Sequence, residues 1–282
     1  MRPWLAGLAG CVALGAGAGW GWTRPDPPST LTFLAVGQGD CVVLQHAGVT
    51  MLVDAAPATE QFDAGRRLAA PVLHDRGVET LDVVVITHPD ADHVGGLPAL
   101  ARRFPIGRVA ASARFRDHDA LQTALRAAGI GSDQMLWIEA PVQLSFGGLS
   151  ATIAPPPDDP GTEDNQGSLF VHLTNGNASA TLSGDAGTET EESVAAQGLN
   201  WRAVVVMAGH HGSKSSSADA WIDTVSPTYA VASCGRDNRY GHPHPSVLER
   251  YRKHGVRVLR TDRDGTVEFA FDWRGVRLLR PE

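Results

Sequence analysis

The stretch LDVVVITHPDADH, from Leu81 to His93, changes character abruptly at Thr87. Up to that point it is an unbroken apolar run of strand length, the pattern of a strand covered on both faces. Beyond it, His88, Asp90, Asp92 and His93 place four metal-ligand side chains within six residues. A strand end followed by a tight loop holds side chains at the rim of a sheet, so these four converge on a small volume. Imidazole nitrogen and carboxylate oxygen suit zinc and also harder divalent ions such as manganese. A solvated polar loop also contains Asp and His, but two of each directly after such a strand point to a metal. Gly95-Gly96 then permits close backbone packing as the next helix starts.

Two further strand ends carry the same chemistry. Leu182-Ser183-Gly184-Asp185 puts an acid after the apolar run Ala178–Ser183. One carboxylate can bridge two ions about 4 Å apart, as in two-metal hydrolysis, although Gly-Asp by itself is also a common turn. Gly209-His210-His211-Gly212-Ser213 comes after the apolar run Ala203–Met207. On a loop, one of two adjacent histidines can ligate while the other contacts substrate or a supporting acid. Lys214 and Ser215–Ser217 offer donors for phosphate oxygens or a cap for the next helix. Tyr240-Gly241-His242-Pro243-His244-Pro245 supplies two histidines able to protonate a leaving oxygen or clamp a phosphate. Six of the eleven histidines fall in these three clusters, which makes a scattered origin a poor account of them.

Around these motifs short strands and helices take turns. Strands are expected at Leu31–Val36, Cys41–Gln45, Val49–Val53 (ending at Asp54), Leu81–Thr87, Leu169–Leu173, Ala178–Ser183, Ala203–Met207, Tyr229–Ser233, Arg257–Arg260, Thr266–Phe271 and Val276–Leu279. A hairpin is expected around Asn175-Gly176. Helices are expected at Ala64–Arg76 (kinked or split at Pro71), Ala120–Ala128 with Asp119 as N-cap, Thr188–Gln197, Ser217–Val225 and Ser246–His254. Strands early in each half with helices after them predict two packed sheets covered outside by helices, an α+β architecture.

The composition, 43% hydrophobic and 20% charged over 282 residues, is that of a folded protein with a real core. A net charge of −7 gives no global attraction to nucleic acid or anionic lipid, so a phosphate polymer would need a local basic patch or bound ions. Cys11, Cys41 and Cys234 show no disulfide spacing; Cys41 and Cys234 read as buried thiols. From Pro3 to Trp22 there is no charge, and residues 1–22 form an apolar membrane anchor or signal segment. An uncleaved anchor, cleavage after Ala16-Gly17-Ala18 and a lipoprotein signal at Cys11 all put the remainder of the chain outside the cytoplasm, at the cell membrane or secreted. Residues 23–30, TRPDPPST, form a Pro-rich linker, and residues 31–282 the catalytic domain.

His88, Asp92 and His93, with Asp54, Asp185 and His210-His211, match the ordered motif set of the metallo-β-lactamase superfamily, which the chain resembles. VGQGD at Val36–Asp40, HPDADH, Asn165 to Leu169, Gly184-Asp185, GHHGSK and NRYGHPHP bring the resemblance closer, to the C-terminal hydrolase domain of the ComEC family of DNA-uptake competence channels. It covers about Leu31 to Leu248. The resemblance implies a four-layer αββα sandwich with metal at one edge. It implies that Asp92, His93, Asp185 and one of His210 or His211 hold one ion, and that His88, Asp90 and Asp185 hold another: one or two divalent ions, zinc or manganese. Asp40, Asp92, Lys214, His242 and His244 complete the candidate catalytic set. The sequence departs from the superfamily where Asp90 replaces the second His of His-x-His. His118 and His172 lack the setting of the usual third ligand, near which Asn165 or Gln166 falls, and Ala35 and Ala55 replace residues common beside their motifs.

The function this implies is a metal-dependent phosphodiesterase degrading DNA, single- or double-stranded, at the outer side of the cytoplasmic membrane during competence-type uptake, beside a channel. An exported hydrolase of another ester, lactone or β-lactam is a second expectation, and a weakly catalytic domain that binds DNA or braces a channel is a third.

Overall fold

A computed structural model describes residues 29–157 and 163–279. The expected anchor at residues 1–22, and most of the linker, lie outside the described residues. Among the described residues no helix is long and apolar enough to cross a membrane.

The first six strands run β1 (Thr30–Phe33), β2 (Val42–His46), β3 (Val49–Val53), β4 (Leu81–Ile86), β5 (Ile106–Ser112) and β6 (Met135–Ile138), each paired with the next. The chain then builds a second sheet from β7 (Val142–Phe146), β8 (Leu149–Ala154), β9 (Phe170–Asn175), β10 (Ala178–Leu182), β11 (Val205–Met207), β12 (Tyr229–Ala232) and β13 (Arg257–Arg260), also paired in sequence order. The last hairpin, β14 (Val267–Asp272) and β15 (Gly275–Leu278), crosses back and adds β14 antiparallel to β1. Each sheet is antiparallel where hairpins make it. It turns parallel over β3–β6 and β10–β13, where crossovers intervene.

The layers arise from the alternation of side chains. Leu31, Phe33, Met51, Val53, Val83 and Val85 face the second sheet and pack with Ile153, Val171, Leu173 and Phe269. Their neighbours Leu52, Val84 and Ile86 point outward and are covered by Leu73, Leu97, Leu100 and Leu121. These come from α1 (Ala70–Asp75), α3 (Leu97–Ala101) and α4 (Asp119–Ala128), with α2 (Ala91–Val94) between the first two. On the far face, α5 (Thr188–Ala195), α6 (Asp219–Val225) and α7 (Pro245–Lys253) cover the second sheet around Phe170, Trp201, Trp221 and Tyr251. Helices outside two facing sheets make the αββα sandwich. The doubly covered strands are continuous apolar runs because both faces are buried.

Several boundaries move for physical reasons. Helix α4 starts at Asp119, and His118 takes the N-cap position that Asp119 was expected to fill. Ser217 has φ +57 and cannot start a helix, so α6 begins at Asp219 after Ala218. The segment expected as one helix at Ala64–Arg76 is a π-helical turn, Gly65–Ala69, followed by α1. Pro71 lies in the first turn of α1, where no backbone donor is needed. Strand β1 stops at Phe33 rather than Val36, and strands β5 to β8 carry no expectation from sequence.

Candidate metal centre

The site forms where β3, β4, β10 and β11 end together at one rim of the sandwich, the carboxyl ends of parallel strands. Asp54, directly after β3, is fully buried with φ +59. Its backbone N–H donates to Val85 O at 2.8 Å, tying β3 to β4. Its carboxylate accepts from Thr87 N and from Thr87 Oγ1, both at 2.8 Å, and from His93 Nδ1 at 2.8 Å. A carboxylate only accepts, so His93 carries a proton on Nδ1 and turns Nε2 inward as the atom left for an ion.

The second sheet meets this loop through Gly184, φ +52, where an added Cβ would lie 2.8 Å from the Thr87 side chain. Asp185, the next residue, donates its backbone N–H to Ser168 Oγ at 3.2 Å and aims its carboxylate at the histidines. His93 Nε2 is 3.3 Å from Asp185 Oδ1. His210 Nε2 and His211 Nε2 each lie 3.5 Å from Asp185 Oδ2.

His210 and His211 both sit in the left-handed region, φ +49 and +56. Each such non-glycine conformation costs on the order of 1 kcal/mol or more and persists only where the surroundings impose it. Here His210 N–H donates to Gly184 O at 3.0 Å. Buried Glu191 on α5 accepts from Ser217 N at 2.9 Å and Ala218 N at 2.8 Å, pinning the far end of the loop. Arg250 donates to Ser216 O and Ser217 O from α7. The twist separates the two rings: His211 is 2% exposed with Nε2 3.2 Å from Asp92 Oδ2, while His210 is 29% exposed.

The turn between β1 and β2 completes the group. Asp40 N–H donates to Asp92 O at 3.2 Å, and an added Cβ on Gly39 (φ +146) would meet that same oxygen at 2.4 Å. Asp40, His93, Asp185 and His211 each present a ligand-type atom, and these atoms lie within 4.8 Å of one another. Asp40, however, faces the Nδ1 edges of both rings, at 3.8 Å from each. The Nδ1 of His93 already donates to Asp54, and His211 Nδ1 has no hydrogen-bond partner, so Asp40 stands behind the rings and acts on them through its charge. The ion-facing side is His93 Nε2, His211 Nε2, Asp92 and Asp185.

Unpartnered atoms gather here, behind the rings at Asp40 Oδ1 and His211 Nδ1 and also on the ion-facing side. His88 Nε2, His93 Nε2 and Asp185 Oδ1 are buried without a hydrogen-bond partner, an arrangement that costs roughly 1–3 kcal/mol for each group unless something ligates it. Imidazole nitrogens and carboxylate oxygens converging on one point fit a divalent ion. Without one, the cluster holds protons. Burial lowers His211, but the Asp185 and Asp40 charges and the Asp92 hydrogen bond outweigh it and hold the ring at about 9. His93 is likewise raised well above 6.5 by Asp185 and Asp54 against its burial. Burial raises Asp92, yet His211 and His93 bring it to about 2, and the same two rings hold Asp185 well below the usual carboxylate range. Burial pushes Asp40 up.

The other expected residues divide between the site and its surroundings. His88 is buried, its ring centroid 4.0 Å from that of His93, and Asp90 Oδ2 lies 3.6 Å from its Nε2 on an open side. His242 is half-buried, its ring 5.8 Å from His210 and 6.4 Å from His211. Gln38 Oε1 accepts from Gly235 N, which turns Gln38 Nε2 toward His242 Nδ1 at 3.4 Å and leaves the ring proton on Nε2. Burial, then the His211 and His210 charges, lower His242 to about 4. His244 caps α7 through Ser246, and Lys214 is exposed. Gln166 Oε1 accepts from Gly187 N and Thr190 Oγ1, so its amide serves α5 rather than the site. His118 pairs with Asp164, and His172 is buried against Thr181. Thr87, Ser168 and Glu191 carry no expectation from sequence. Asp54 stands in the motif set without a role, although its place at a strand end is the available signal.

Comparison with known proteins agrees with this geometry. The family described as metallo-beta-lactamase superfamily matches residues 34–236. ComE operon protein 3 of Bacillus subtilis (strain 168) is 33% identical over 258 residues, covering 84% of this chain and 32% of its own length. Competence protein ComA of Neisseria gonorrhoeae is 32% identical over 282 residues, 99% of this chain and 37% of its own. The chain thus spans about a third of the length of these relatives. Among solved structures, CmlA, a diiron beta-hydroxylase from Streptomyces venezuelae, shares the fold at a TM-score of 0.56 and 17% identity, covering 91% of this chain and 55% of that one. With the two-sheet sandwich, the strand-end Asp and His cluster and the family match in agreement, the chain belongs to the metallo-beta-lactamase superfamily of metal-dependent hydrolases and has competence proteins among its homologues.

Proposed function

We propose that the chain is a metal-dependent phosphodiesterase that cuts DNA on the outer side of the cytoplasmic membrane, held there by residues 1–22 and acting beside a DNA-uptake channel. The observation that carries this reading is the donor set itself. Asp92, Asp185, His93 and His211 face one point, with Asp90 in place of a third imidazole. An oxygen-rich set suits manganese or zinc and the neutralisation of phosphate charge. The names of the two competence relatives support DNA as the polymer.

Asp92, His93, Asp185 and His211 would hold one ion; His88, Asp90, His210 and Asp185 a second. A bound ion supplies Lewis-acid activation of water and of the phosphoryl oxygens. The chain's own residues do the rest. Asp54 orients the His93 imidazole, and Asp40 places a negative charge behind His211. His242, neutral at pH 7 and held by Gln38 and Asn238, offers its Nε2–H to an oxygen of the phosphate. Lys214, on the exposed run after the His pair, adds positive charge at the rim.

The purified full chain, given labelled single- and double-stranded DNA with manganese or zinc, should cleave at least one form, and Asp92→Ala should abolish cleavage. Silence under both metals, full activity in Asp92→Ala, or preferential turnover of a lactone or β-lactam would overturn the proposal.

A further inference from the structure

Residues 234–264 invert the charge balance of the protein. They hold eight Lys or Arg against four Asp or Glu, in a chain of net charge −7. The fold gathers part of this excess into one open cleft of about 700 Å³, lined by Arg236, Asn238, His242, Arg260 and Arg263 among others. Two acids also line it, leaving three arginines against two carboxylates: Asp237 is exposed, and Asp262 is matched by Arg260 through Nε and Nη2 at 2.9 and 2.7 Å. Arg236 and Arg263 are both exposed, and among the described residues neither makes an ion pair with a carboxylate. Arg236 has only a long 3.5 Å contact from Nε to Asp262 O. Their guanidinium forks match phosphate oxygens.

The cleft is preformed and joined to the metal centre. Asn238 donates to Gly235 O at 2.9 Å and His242 O at 2.7 Å, and accepts from His242 N at 2.9 Å, closing the loop that carries Arg236. His242 is shared by both places: it lines the cleft, and its ring lies 5.8 Å from that of His210. A polymer whose phosphate sits at the ions therefore has a short basic path leading away from them. A protein with no global attraction for nucleic acid needs such a path.

Resting on the phosphodiesterase reading above, we propose that this cleft is the track for the nucleic-acid strand next to the scissile phosphate, with Arg236 and Arg263 pairing with its backbone. These contacts are to phosphates, so they set affinity and register and not base sequence. A small phosphodiester reaches the ions without them.

The test compares Arg236→Gln/Arg263→Gln with Arg102→Gln/Arg103→Gln, whose arginines are exposed just after α3 and outside the cleft. Binding of a fluorescein-labelled oligothymidylate is followed by anisotropy in EDTA across salt concentrations. The cleft variant should weaken binding about tenfold and flatten the salt slope by roughly one to two, one for each lost phosphate contact. The control should stay within about twofold. On cleavage, the cleft variant should lose about tenfold more kcat/KM on the oligonucleotide than on bis(p-nitrophenyl) phosphate, mostly in KM. Wild-type-like binding by the cleft variant, or equal losses on both substrates, overturns the track. DNA cleavage that ignores the arginines sinks the track and leaves the hydrolase. Binding that needs them, without cleavage of either substrate, does the reverse.

Discussion

The two sides of Asp185 are built differently. On the deep side His93 and His211 are 0% and 2% exposed, and each has a carboxylate behind its Nδ1, Asp54 at 2.8 Å and Asp40 at 3.8 Å. On the open side Asp90 is 44% and His210 29% exposed, and His88 Nδ1 meets only the Thr87 hydroxyl, at 3.1 Å. A carboxylate that accepts the ring N–H, as Asp54 does from His93, fixes the tautomer and strengthens the imidazole as a ligand, while Asp40 adds a negative charge behind His211. The difference implies an order: the first ion binds deep and tightly, the second at the open side and weakly.

The largest effect should come from the residue common to both sides. Asp185→Asn removes a ligand from each, and metal assistance is worth several kcal/mol at about 1.36 kcal/mol per tenfold in rate. Phosphodiester cleavage should therefore fall by about 10³-fold with the fold intact by circular dichroism; a loss under about tenfold would break the shared-ligand view. Next, Asp54→Asn should weaken the first ion by about 10- to 100-fold in a competition titration. Asp90→Asn should spare the first ion and weaken only the second. If the two variants exchange effects, the order of filling is reversed.

Proton release separates the sides without mutation. In the metal-free protein His211 titrates at about 9 and His93 well above 6.5, so both rings are charged at pH 7. Burial lowers His210, which is therefore neutral there. The first ion should therefore release more protons at pH 7 than the second, as read by calorimetry in buffers of different ionisation enthalpy. Stability carries the same sign. A raised folded pKa means that His211 steadies the metal-free fold below pH 6.5, and this is lost as pH rises through about 9. The rise in melting temperature on adding metal should therefore grow from pH 6 to pH 9, whereas a flat profile would contradict it. The smallest effect is Thr87→Val, which removes the buried hydroxyl that bonds both Asp54 and His88 Nδ1. It should cost about 1–2 kcal/mol, or roughly 2–8 °C in melting temperature by calorimetry.

What could be read from the sequence divides along similar lines. Leu81–His93 revealed its strand and its ligands because a doubly buried strand is apolar throughout and its rim is abruptly polar. The same rule found β11, while β10 was legible from its hairpin with β9 around Asn175-Gly176. Strands β7 and β8 escaped because VQLSF and LSATIA mix polar and apolar residues, and β5 because IGRVAAS is rich in Gly and Ala. Glu191 lies in TETEES, a run that reads as a solvated helix face, and only packing shows it buried beneath the His loop. Spacing could not choose between His210 and His211. The left-handed backbone decides it, sending one ring inward and leaving the other at the rim.

The most direct measurement is anomalous diffraction at the manganese or zinc edge from crystals grown with limiting metal. The account predicts the strongest peak in the space bounded by His93 Nε2, His211 Nε2, Asp92 and Asp185, with any second, weaker peak toward His88 and Asp90. A map with no peak at the cluster, or with its strongest peak on the His88–Asp90 side, would contradict it.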